Sequence, residues 1–362
     1  MTDKVRQSTP TLPELAQKVN HQMITLARES RGLTQSELAK ILGVQQGTIS
    51  KIEQDLMSIS GELLSGLSKS LGYPESFFFE KALLFAPGLS LHRKRSALPK
   101  KALNRIDAVV NIQRIHLQKL LLSVDIPENN IPFYEVEEFG SPERIAQMVR
   151  QAWYVPAGPV DNVTKLIEDA GGVIYSCRFD THLIDGLSSS NLQRLPPTIF
   201  VNSNLLGDRL RFTLAHELGH LVMHRFPTEH MEEEANQFAS EFLMPASDIR
   251  HQLSYMTLQK LAGLKPFWKV SMGALLTRTA SLEQITPRQA QYLWMQISKA
   301  GYRLREPAEL DIPIEKPSLV RELIDIHIED LGYSPQEVID MLSLSRQDFT
   351  DYYLDRRLRL VH

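Results

Sequence analysis

The sequence predicts a mainly α-helical fold with one small sheet, an α+β arrangement with an all-α amino-terminal domain, a mixed core and a helical carboxy-terminal region. Three observations carry this expectation. Residues 33–53 have the spacing of two short capped helices around a glycine turn; residues 211–243 hold two consecutive helical patterns preceded by short strand-like runs; and the last third alternates helical stretches with proline-bearing connectors.

In the amino-terminal part, Thr34 and Glu37 form a capping box, Leu38, Ala39 and Leu42 supply an inward face, and Gly43 ends the first helix. Val44, Ile49 and Ile52 pack a second helix against it, and the flanking residues 27–32 and 63–71 complete a four- or five-helix domain. In a helix-turn-helix the second helix enters the major groove, so its exposed positions read base edges or hold phosphates. Those positions are Gln46, Thr48, Ser50 and Lys51. Gln46 suits bidentate pairing with an adenine, Lys51 a guanine or a phosphate, and Gln35 the DNA backbone. A packing or dimerisation module that binds no DNA is the alternative, because residues 1–78 balance eight basic side chains against eight acidic ones and a nonspecific electrostatic grip is weak. The stretch 17–80 resembles the Xre/Cro-type repressor fold. Its two-fold operators imply a homodimer on double-stranded DNA.

Positive charge concentrates in the next segment, 81–140, where nine basic residues between positions 81 and 120 face only Asp107, a net of plus eight. Two readings stand: a soluble linker followed by an amphipathic helix, or extra phosphate contact beside a bound operator. Residues 103–124 have helical spacing and are expected to pack on the following domain, while the basic stretch 89–101 reads as accessible to proteolysis, including by this protein itself.

The chemistry is concentrated in Arg211-Phe212-Thr213-Leu214-Ala215-His216-Glu217-Leu218-Gly219-His220, which contains H-E-x-x-H. Residues four apart share a helix face, so His216 and His220 can present two imidazoles to one ion, and Glu217 reaches it through a water. A catalytic zinc takes three protein ligands and a water whose pKa it lowers to about 7, which points to Zn2+ and a metallopeptidase with Glu217 as its base. The third ligand is expected from the acidic helix at 231–243, whose apolar stripe runs through Ala235, Ala239, Phe242 and Leu243. Glu232 lies in phase with that stripe, and a carboxylate on a buried face needs a partner. Glu234 is the alternative, and Glu233 and Glu234 otherwise read as a solvated face. Asn236, one turn on from Glu232, is positioned to orient a ligating histidine by a hydrogen bond. His224 continues the stack, but histidines at 216, 220 and 224 span about 12 Å on a straight helix, too far for all to reach one ion. It is expected beyond the ligands or at the helix end, where the dipole favours a cationic ring.

Here the chain resembles a family. The pattern R-F-T-L-A-H-E-L-G-H-L-x-x-H followed by E-x-E-A-N-x-F-A-x-x-x-L-M-P is similar to the ImmA/IrrE-type metallopeptidases of bacteria and phages, and the likeness covers about residues 141–250, including 153–160, 172–175, Asp185-Gly186 and 199–202. It implies a gluzincin-like peptidase core with a small sheet beside the histidine helix, and cleavage of repressors that carry helix-turn-helix domains. The short segment between His220 and Glu232 departs from the pattern and implies a trimmed cleft loop with altered specificity.

Residues 251–362 read as a helical region without a legible role, with helices expected near 261–282, 286–300, 318–331, 334–342 and 345–354, and with Trp268, Tyr352 and Tyr353 as core residues. A single cysteine, Cys177, excludes an intramolecular disulfide and suits a reducing cytoplasm; 43% apolar and 23% charged residues with net charge −3 are ordinary for a soluble protein. No apolar run reaches membrane-spanning length and no signal peptide opens the chain, so a cytoplasmic protein without membrane contact is expected. The leading expectation is a DNA-binding zinc metalloendopeptidase and transcriptional regulator that cleaves a helix-turn-helix repressor. The alternatives are a non-proteolytic regulator whose metal-site domain senses a metal or ligand, and an antitoxin docking through its helical tail.

Overall fold

The structure, a computed structural model, describes residues 18–81, 98–190 and 195–354. Most of the basic stretch 89–101, including Arg93, Lys94 and Arg95, lies outside the described residues.

Four helices open the fold: α1 (His21–Ser30), α2 (Gln35–Leu42), α3 (Gln46–Glu53) and α4 (Gly61–Leu71). The Thr34–Glu37 capping box is formed in both directions, and Gly43 ends α2 in the left-handed conformation that favours glycine. A 21-residue helix, α5 (Lys100–Leu120), follows, then α6 (Pro142–Ala152) and α7 (Val163–Asp169). The sheet has order β1-β3-β2, with β1 (Val173–Cys177) parallel and β2 (Gly186–Ser189) antiparallel to the central β3 (Thr198–Asn202).

Strand alternation divides the molecule into two cores. Val173, Tyr175, Leu187 and Phe200 face one that also holds the amino-terminal helices, α5 and side chains from residues 319–354. Ile174, Ile199 and Val201 face the other, built with α6, α7, α8 (Gly207–Met223) and α9 (Met231–Leu243). That second core continues through α10 (Leu258–Trp268), α11 (Met272–Ser281) and α12 (Pro287–Lys299), with Trp268 fully buried. The last helices, α13 (Leu319–Glu329), α14 (Pro335–Met341) and α15 (Arg346–Tyr353), leave this core and join the first. They are fastened there by polar contacts: Arg31, just after α1, makes a bidentate pair with Asp348 at 3.0 and 2.6 Å, and the Tyr353 hydroxyl meets His116 Nδ1 at 2.6 Å and Gln113 Oε1 at 2.7 Å on α5. Among the described residues no helix is long and apolar enough to cross a membrane.

The connector from Glu306 to α13 crosses the start of α8. Buried Lys265 reaches Asp208 at 2.5 Å and Glu306 at 2.6 Å, and fully buried Arg211 pairs with Glu315, whose carboxylate also accepts from Thr164 N at 3.0 Å. Gly207 admits this crossing, because a Cβ there would lie 2.7 Å from Pro313 O and closer still to Ile312 O. Alanine normally gains about 0.5–1 kcal/mol over glycine in a helix. Here overpacking against backbone wins, and Gly207→Ala is expected to cost about 1–3 kcal/mol in denaturant unfolding. An unchanged or raised midpoint would show that the connector yields without strain.

Candidate metal centre and nucleic-acid interface

α8 is buried along almost its whole length, between α9 on one side and β2 and β3 on the other. Its i, i+4 spacing brings His216 Nε2 and His220 Nε2 to 3.1 Å. Two ring nitrogens at that distance converge their lone pairs on one point. From α9, Glu232 adds Oε2 at 3.7 Å from His216 Nε2 and Oε1 at 3.5 Å from His220 Nε2. Among the described residues these three form the group of metal-ligating side chains, with one donor atom each within 4.8 Å of the others. Tetrahedral zinc with ligand bonds of about 2.0–2.2 Å separates neighbouring ligand atoms by about 3.3–3.6 Å, so the donor set fits such an ion.

Glu217 supplies the second sign of fit. Its side chain is fully buried and neither carboxylate oxygen has a hydrogen-bond partner among the described residues. A dry, unsatisfied carboxylate is costly unless a cation or a bound water faces it. β2 is brought close by Gly186, where a Cβ would lie 2.7 Å from Thr213 Cγ2 and 3.4 Å from Glu217 Cγ. A cleft of about 760 Å³ opens beside the centre, lined by Thr213 and Asn236 on one wall and by Trp294 and Tyr302 of the carboxy-terminal region on the other.

Asn236 lies with its Oδ1 at 3.0 Å from His216 Nδ1, on the ring edge opposite the converging nitrogens. His224 caps the end of α8 and turns off the helix line, with Nδ1 at 3.0 Å from His220 Nδ1 and Nε2 at 2.8 Å from Glu234 Oε2. Glu234, the alternative ligand of the sequence reading, therefore faces His224 and not the three-residue group. The helix-end position predicts a cationic His224, but burial pushes this imidazole below its usual range, while the hydrogen bond to Glu234 acts the other way. Desolvation prevails because the ring is 3% exposed. The Glu234 contact had no local signal in the sequence, since it forms across the turn between α8 and α9. Replacing Glu232 by Ala is expected to lower zinc occupancy after dialysis to a small fraction of the wild-type value; full occupancy by atomic absorption would remove Glu232 from the ligand set.

On the amino-terminal helices, Gln46 and Lys51 of α3 are exposed, whereas Thr48 and Ser50 are half-buried. Gln46 donates to Gln35 Oε1 at 2.8 Å, and Gln35 Nε2 donates to Glu53 Oε2 at 2.8 Å. Glu53 also accepts from Arg28 at 2.6 and 2.9 Å, so a polar chain crosses α1, α2 and α3. The Gln46 amide nitrogen is thus held by Gln35, and pairing with a base edge requires it to rotate away. The start of α5 lies beside α2, with Lys101 Nζ at 3.0 Å from Glu37.

A family model described as helix-turn-helix matches residues 24–78, and a peptidase-family model described as IrrE N-terminal-like domain matches residues 167–280. The second match contains the sheet, α8, α9 and the helices through α11. No curated protein matches the chain. The α2–α3 pair and the histidine helix beside a small sheet agree with these two matches. The chain joins an Xre/Cro-type helix-turn-helix domain to an IrrE/ImmA-like peptidase-family domain in one polypeptide.

Proposed function

We propose that this chain is a zinc-dependent metalloendopeptidase and transcriptional regulator that binds double-stranded DNA, acts in the cytoplasm and cleaves a helix-turn-helix repressor to derepress genes. The observation that carries the reading is the buried Glu217 carboxylate, without a hydrogen-bond partner among the described residues, beside the converging atoms of His216, His220 and Glu232. A structural zinc site fills its coordination with four protein ligands and needs no adjacent base, whereas three ligands with a neighbouring carboxylate are the catalytic arrangement.

Zinc, when bound, acidifies a coordinated water and polarises the scissile carbonyl. Glu217 would take a proton from the attacking water and return it to the amide nitrogen of the scissile bond as the C–N bond breaks. Asn236 holds the His216 ring from behind. The cleft lined by Thr213, Asn236 and Trp294 has room for a substrate chain beside these residues. The helix-turn-helix domain raises the concentration of the peptidase near operator-bound targets, and a homodimer matches the two-fold symmetry such operators have.

The test is a mass-spectrometric survey of new peptide amino termini in cell extract, comparing zinc-loaded wild type with Glu217→Gln. Termini produced by the wild type alone, clustered in a helix-turn-helix protein, support the reading and name the substrate. Equal spectra from two zinc-bound proteins that protect the same operator would replace it with a regulator that senses a metal or ligand.

A further inference from the structure

His220 is held from behind by a longer chain than His216. Its Nε2 faces His216 and Glu232, while its Nδ1 lies 3.0 Å from His224 Nδ1, and His224 Nε2 lies 2.8 Å from Glu234 Oε2. The direction of each hydrogen bond follows from the donor inventory. A carboxylate only accepts, so the proton between His224 and Glu234 sits on His224 Nε2. A neutral imidazole carries one proton, which makes His224 Nδ1 an acceptor. The proton between the two Nδ1 atoms therefore belongs to His220. That leaves the lone pair of His220 on Nε2, the atom that faces the other two members of the group.

We infer that Glu234 and His224 form a relay that fixes His220 in its Nε2-ligating tautomer and raises its affinity for the metal. The inference rests on the metal-centre reading above and deepens it. Both relay members are positioning residues, since Glu234 acts on the centre through His224 alone. The two histidine ligands are thus supported differently: His216 by the neutral amide of Asn236, His220 by an imidazole backed by an anion. A carboxylate behind the second ring draws its proton outward and passes electron density to His220, which an amide does to a smaller degree. The ring of His224 is 3% exposed and Glu234 22%, so water competes little for the inner hydrogen bond.

The experiment is a zinc chelator-competition titration of the full chain and its variants, read as a dissociation constant without turnover. Glu234→Ala and His224→Ala are each expected to weaken zinc binding by about 10–100-fold, the usual cost of removing an outer partner of a metal-bound histidine. Glu234→Gln keeps an acceptor oxygen but loses the charge, and is expected to fall between wild type and Glu234→Ala; it also serves if the alanine variant does not fold. The double variant decides the mechanism. A relay predicts no further loss when Glu234→Ala is added to His224→Ala, with the metal-free proteins melting within a degree or two of each other. Independent, additive losses overturn the relay, as does wild-type affinity in Glu234→Ala, and as does a loss that persists in full without His224, which would make Glu234 a ligand. A wild type that binds no zinc instead overturns the metal-centre reading, and the relay with it.

Discussion

Glu217→Gln is expected to slow peptide-bond hydrolysis by about 10²–10⁴-fold with zinc content unchanged, the range that general acid–base catalysis supplies. The carboxylate is fully buried, so the amide replaces it in nearly the same volume and the candidate ligands His216, His220 and Glu232 are not disturbed. The loss should fall on kcat, with KM nearly constant, because proton transfer is made only on the way through the transition state. Stopped assays on the substrate named by the amino-terminal survey would measure both. Wild-type kcat in the variant would remove Glu217 from proton transfer.

Arg278→Ala is expected to destabilise the protein by about 3–5 kcal/mol, because it leaves a buried carboxylate without its counter-charge. Glu241 on α9 is 1% exposed and is paired with Arg278 on α11, whose side chain is 4% exposed. Arg278 also donates to Met244 O at 3.0 Å, and Glu241 accepts from Gln147 at 2.7 Å. Adding Glu241→Gln to the Arg278→Ala background removes the stranded charge and should recover part of the loss. Guanidinium unfolding of the three proteins measures this. A cost below about 1 kcal/mol for Arg278→Ala, the range of an exposed pair, would mean that water reaches Glu241. The pair also joins the helix that carries Glu232 to the carboxy-terminal region.

These two glutamates show how far the sequence could be read. A carboxylate in phase with an apolar stripe needs a partner, and that argument selects Glu232. The same argument applies to Glu241, which is the more deeply buried of the two, yet its partner is an arginine 37 residues away on another helix. Periodicity reports that a side chain faces inward and is silent about what it meets. For the same reason β1 and β3 were legible as strand-like runs at 172–175 and 199–202, whereas the short edge strand β2 was marked only by Asp185-Gly186. The helices of the last third were also visible from their helical stretches and proline-bearing connectors, and Trp268 was placed in the core. Their role was not visible, because α10–α12 extend the core around the candidate metal centre while α13–α15 return to the amino-terminal domain.

What the sequence determined by itself is everything that closes within about one helical turn: the Thr34–Glu37 capping box, the left-handed Gly43, the i, i+4 histidines with Glu217 between them, and the register that turns Glu232 inward. The tertiary structure alone decided which distant groups answer them. It brought α9 against α8 so that Glu232 lies beside His216 and His220 and Glu234 meets His224, and it paired Arg31 with Asp348 across 317 positions of chain. Caps and helical periods are short-range steric and hydrogen-bonding rules, repeated wherever the local pattern recurs. The partner of a buried charge is chosen only when the cores close, by which elements happen to bury their faces together.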